Sequence, residues 1–174
     1  MENQAIADGG KQKSATVPIT RDGQVENVVL AYEIEVLPGS FTWVNKNNFH
    51  AYAEGAGSQH HRVSGSHKVD DTGISLSIES YQCNGNNYME TEEKVDLTGY
   101  KTIMCEATNM ANVSIGIDGY TLRAVASQLD VSQVKGEHTI CVGYFDDPDP
   151  NTHPNGWTIE SITGSTKITS MKVV

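Results

Sequence analysis

The chain has 174 residues, 37% of them hydrophobic, and a formal net charge of −10. This length allows one well-buried core with a tail and is short for two independent domains. The acidic balance excludes a general affinity for nucleic-acid phosphate, and no run approaches the roughly 18 apolar residues of a membrane-crossing helix.

Residues 1–24 are rich in Gly, Lys, Gln, Ser and Thr and hold too few large apolar groups to form a core alone. They are read as an extended N-terminal arm that docks on a neighbouring subunit, preceding a sandwich domain over residues 25–174. The N-terminus has neither a basic nor an apolar region of the kind a secretory signal needs, so synthesis in a reducing cytoplasm is expected.

Val25 to Val36 gives the clearest strand of the N-terminal half, with Tyr32, Ile34 and Val36 at period two. Val28, Val29, Tyr32 and Val36 would also suit a helix. The β-branched content and the stop at Leu37-Pro38-Gly39 decide for strand. Short strands are expected at Phe41–Val44 and Phe49–Ala53, with a polar loop between them. Gly55 to Asp71 reads as a long loop, or a short edge strand around His61 to Val63.

Beyond Gly73, apolar and polar residues alternate in short runs broken by Gly, Asn and Asp, with almost no helical period. Strands are expected at Ile74–Ile78, Tyr88–Thr91, Thr102–Ala107, Val113–Ile117, Thr139–Tyr144, Trp157–Ile162 and Ile168–Val173. Thr98-Gly99 marks a tight turn that leaves Ile103 and Cys105 on one face of the next strand, and Asp118-Gly119 marks a hairpin. Leu122 to Val131 suits either a short helix or a strand plus turn. No repeat of fixed period is present. The pattern is that of an antiparallel β-sandwich with one solvated face per sheet.

The three cysteines form no CxxC pair, and Cys105 and Cys141 sit in apolar strand patterns. They read as small buried hydrophobes, with neither a metal site nor a disulfide framework implied.

Three runs carry a resemblance: Val95-Asp-Leu-Thr-Gly-Tyr-Lys-Thr-Ile103, Leu129-Asp-Val-Ser-Gln-Val-Lys-Gly-Glu-His-Thr-Ile140 and the closing Lys167-Ile-Thr-Ser-Met-Lys-Val-Val174. With them, Ile74 to Val174 resembles the galactose-binding-domain-like jelly rolls of carbohydrate-binding modules and of phage tail and virion proteins. The resemblance implies a jelly-roll sandwich and a non-enzymatic bacteriophage virion part: a decoration, fibre or tail component. It would be made in the host cytoplasm, work as a homo-oligomer and contact other virion subunits through its arm. Its outward sandwich could serve host-surface adhesion to a cell-surface glycan. The alternative it implies is a carbohydrate-binding module.

Aromatic faces stack on pyranose C–H surfaces while Asn and Asp bind the hydroxyls, so Trp43, Tyr88 and Trp157 with Asn86 and Asn87 are the candidate ligand-binding residues. Core packing is the competing reading for both tryptophans. The loop from Asp146 to Gly156 places Asp146, Asp147 and Asp149 among prolines and asparagines, which offers the hard oxygens calcium takes. Its spacing is not an EF-hand, and a stiff solvated loop is the stronger reading; no other cofactor is expected. His60 and His61 are adjacent and point to opposite faces of a strand, so with His67 they make a poor zinc set. No Gly-x-Ser-x-Gly elbow and no Gly-rich phosphate loop is present, and catalysis is not expected.

Overall fold

The computed structural model describes residues 12–39, 41–46, 48–51, 62–81, 83–110, 113–124, 126–145 and 162–174. Every regular element among them is a strand, and all pairings are antiparallel. No described helix is long and apolar enough to cross a membrane.

The first sheet contains β1 (Gln12–Arg21), β2 (Gln24–Leu37), β5 (Arg62–Asp70), β6 (Gly73–Tyr81), β9 (Thr102–Ala107), β12 (Gln128–Asp130) and β15 (Ile162–Val173). Its path is β1-β2-β15-β6-β5, and β9 pairs with both β15 and β12. β15 is the shared strand: Ile162 to Ile168 pair with β6, while Ile168 to Val173 pair with β9, and Met171 to Val173 also pair with β2.

The second sheet contains β3 (Trp43–Asn45), β4 (Asn48–Ala51), β7 (Cys83–Thr91), β10 (Val113–Ile117), β11 (Leu122–Ala124) and β14 (Ile140–Phe145), in the order β11-β10-β14-β7-β3 with β4 on β7. A two-stranded piece joins β8 (Val95–Asp96) to β13 (Glu137–His138).

Period-two alternation builds the core. β6 buries Ile74, Leu76 and Ile78, β9 buries Ile103 and Cys105, and β14 buries Ile140, Val142 and Tyr144. One hydrophobic cluster draws on both sheets, giving a sandwich-like arrangement. Asn87 on β7 also links the sheets: it is fully buried, and its amide donates to the carbonyls of Ser66 on β5 and Ser77 on β6. Cys105 and Cys141 are buried free thiols, as the strand pattern implied, and burial pushes both up to about 12.

The expected strands within the described residues recur, most with shifted ends, the Trp157–Ile162 strand lies outside them up to Ile162, and three segments differ. Gln12 to Arg21, read as part of an extended arm, is a strand paired with β2 of the same chain. Arg62 to Asp70 forms a nine-residue edge strand rather than a loop or a short strand. It carries few apolar residues because an edge strand presents little to the core. Leu122 to Val131 resolves into β11 and β12, with no helix. The Asp118-Gly119 hairpin also forms, but with a four-residue connection, since Ile117 pairs with Leu122. Asp118, Gly119 and Tyr120 all have positive φ there. Trp157 and the Asp146–Gly156 loop lie outside the described residues, as do His60 and His61.

Candidate functional site

β1 and β2 form a ribbon closed by Asp22-Gly23, both at positive φ (52° and 77°), as a two-residue hairpin turn requires. The register shifts between Lys13 and Ser14, and the segment from Ala15 to Leu30 has no buried side chain. Seven residue pairs extend past Ser14, a projection of about 20–25 Å. Directly opposed residues share a face. Ala15 with Leu30, Val17 with Val28 and Ile19 with Glu26 make one face; Thr16 with Val29, Pro18 with Asn27 and Thr20 with Val25 make the other.

These apolar groups remain in water: Val25 is 68% exposed, Leu30 51%, Val29 50% and Ile19 43%. The base, by contrast, is anchored. Ile34 and Val36 enter the core, and Glu33 bonds to Lys13 and to Lys172 of β15 (3.1 Å for Lys172). The bond from Lys13, with that from Lys172, holds the Glu33 carboxyl below its usual range against a smaller desolvation effect. Residues 12–24, expected as part of an extended arm, thus form with β2 an anchored ribbon with an unburied apolar surface.

Of the sugar-platform residues, the described side chains of Trp43, Asn87 and Tyr88 are not gathered in one place. Trp43 pairs with Thr91, Val44 with Glu90 and Asn45 with Met89; Met89 and Thr91 are buried, so Trp43 lies on the inner face and packs at the margin of the core. Its indole Nε1 is buried without a partner. Asn87 also points inward. Tyr88 lies one position on, on the outer face, half-buried, with its ring edge-on to Tyr120 at 4.8 Å and 78°. The backbone of Asn86 pairs with Phe145 and Asn48. Met89 was the available signal, since its apolar side chain fixes the inward parity of Asn87.

Tyr120 folds back across the outer face of the second sheet, where Gly116 leaves room; a Cβ there would lie 2.5 Å from the Tyr120 ring. Its hydroxyl donates to the Ser114 carbonyl at 3.3 Å, and burial raises its pKa well above the ordinary value. Gly143 similarly admits the backbone of Asn87 and Tyr88.

A polar cluster closes the same end of the sheet. His138 Nδ1 lies 2.6 Å from Asp118 Oδ2, and its Nε2 lies 3.0 Å from the Lys135 carbonyl. Both partners are acceptors, so only the doubly protonated ring donates to both. Asp118 also accepts from the Thr139 N–H at 3.1 Å, and the Thr139 hydroxyl donates to Glu90. Every partner in this cluster belongs to a turn or a strand end, so it fastens a loop. Among the described residues, no group of three or more His, Cys, Asp or Glu could hold a metal ion.

No family model, curated protein or solved structure matches this chain.

Proposed function

We propose that the protein is a non-enzymatic structural subunit of a bacteriophage virion, a decoration, fibre or tail component, whose sandwich closes as a jelly roll. Its N-terminal arm, with the ribbon that continues it, holds a neighbouring copy. The observation that supports this reading is the ribbon. It is pinned at its base by core residues and ion pairs, yet exposes Ile19, Val25, Val29 and Leu30 along its length. A two-stranded ribbon is marginal in water without a third surface, and exposed apolar stripes of this kind mark protein contacts.

Sedimentation velocity on the full chain tests the reading. Oligomers are expected for the native sequence, and Val28→Lys with Leu30→Lys should convert them to monomers with an unchanged circular dichroism spectrum. In particles, deletion of residues 1–24 should abolish incorporation. A native chain that stays monomeric and enters particles equally well without residues 1–24 would sink the proposal.

A further inference from the structure

β2 leaves the body of the molecule with one edge bare. Its pairing with β15 ends at Ile34, opposite Val173, and from Gln24 outward to Glu33 it pairs with β1 alone among the described residues. That edge carries none of the usual guards against strand addition, since no proline, lysine or arginine lies between Gln24 and Glu33. The far edge of the ribbon is guarded: β1 holds Pro18, which cannot donate to an added strand.

We infer that a second copy of this chain pairs along the bare edge, β2 antiparallel to β2 about a two-fold axis, with Arg21 at the tip of each ribbon seated in a notch at the base of the other. The inference rests on the reading of the ribbon as a contact between copies and names its geometry.

Directly opposed residues share a face, so a two-fold axis normal to the sheet must oppose one residue to itself. With Val28 opposite Val28, Gln24 meets Tyr32 and the bare edge is filled from end to end. An axis at Val29 would drive Gln24 against Ile34, which β15 already occupies. The Val28 register also keeps carboxylates apart, because Glu26 falls opposite Leu30 and Glu33 opposite Gly23. Two marginal ribbons become one four-stranded sheet.

This register brings each hairpin tip to its partner's notch, a space of about 350 Å³ lined by Gln12, Tyr32, Asp96, Thr98 and Tyr100. Tyr32 is 45% exposed, and Gln12 Nε2 donates to the Tyr100 hydroxyl at 3.1 Å, which steadies the second ring. Asp96 accepts from the Thr98 N–H at 2.9 Å, and Thr98 holds its carboxyl below the usual range, so it is charged at neutral pH. A carboxylate beside tyrosine rings suits a guanidinium, which stacks on aromatic faces and pairs with acids. Arg21 is exposed, and no other Lys or Arg occurs from Ala15 to Leu30. An exposed ion pair adds little adhesion, so Arg21 sets the register while strand pairing and apolar burial hold the copies.

Sedimentation and oxidative cross-linking of the full chain test the geometry. A two-fold contact closes on itself, so a dimer is expected. Val28→Cys should give a disulfide-linked dimer above the background of the unsubstituted chain. Ile19→Cys should not, because the two copies of that position lie about 20 Å apart in this register. Arg21→Glu should weaken dimerisation about tenfold, and combining it with Asp96→Lys should restore it to within about threefold. Asp96→Asn, which can keep the same turn, should weaken it without disturbing the fold. A monomeric native chain would sink the contact between copies and this geometry with it. A native chain that self-associates would overturn the geometry alone if it forms an open series of larger species. So would Ile19→Cys cross-linking as well as Val28→Cys, or Arg21→Glu and Asp96→Asn both leaving the dimer as tight as before.

Discussion

At His138 one imidazole meets two acceptors, the Asp118 carboxylate and the Lys135 carbonyl, and the bond to Asp118 together with the Lys135 carbonyl raises its pKa above the ordinary 6.5. Lys94 opposes this, and Asp96 lies on the paired strand β8. Because the folded pKa is the higher one, the stabilisation is complete below about pH 6.5 and fades as pH rises through the folded value. Asp118 sets the other limit. Despite desolvation, His138 and the Thr139 N–H hold its carboxyl below the ordinary 3.8, so its contribution fades as pH falls through that lowered value. A thermal-melting series should therefore show His138→Gln losing most between about pH 4 and 6.5. The loss should be about 1 kcal/mol or less, given how exposed the pair is. Equal losses at pH 5 and pH 9 would contradict the doubly donating ring. Glycine positions separate two effects. Gly119→Ala adds a Cβ with nothing within 4 Å, so only its positive φ resists, costing about 1 kcal/mol. Gly143→Ala puts a Cβ 2.4 Å from the Asn87 carbonyl oxygen and should cost about 3 kcal/mol in urea titration.

Among the elements, β15 pairs with three strands, β2, β6 and β9, and Ile168, fully buried, faces β6 and β9 at once. Ile168→Ala should lower unfolding free energy by about 2–5 kcal/mol. A ribbon shortened by joining Ser14 to Ala31 through Asn-Gly should leave the melting temperature nearly unchanged, because the removed segment buries no side chain. Strands whose alternation matches a buried face were readable from the sequence: β2, β6, β10 and β14 carry Ile, Val or Leu at period two, and β9 alternates Ile103 with Cys105. Edge strands were harder to read. β5 offers only Val63 and Val69, and β1 carries Pro18, a residue tolerated at a sheet edge but a poor strand signal. The candidate site was the least legible part. Val25, Val29 and Leu30 have the apolar character of a core strand, and only the pairing with β1 beyond Ser14 shows that they stay in water. Alternation along β7 sent Asn87 and Tyr88 to opposite faces, which no list of aromatic and amide residues could foretell.

For the whole molecule, the net charge of −10 works against any contact between identical copies. Association through the ribbon should therefore tighten as salt rises from about 20 to 300 mM, where the screening length falls below about 10 Å. Weakening with salt would mean that ion pairs, rather than apolar burial, hold the copies together.

β15 also sets a timetable. A ribosome delivers β2, β6 and β9 long before the strand that joins them, so each waits with hydrogen-bonding groups unclaimed. A nascent chain halted before Ile162 would be a natural client for chaperones, and the emergence of β15 would turn several loose pieces into one fold.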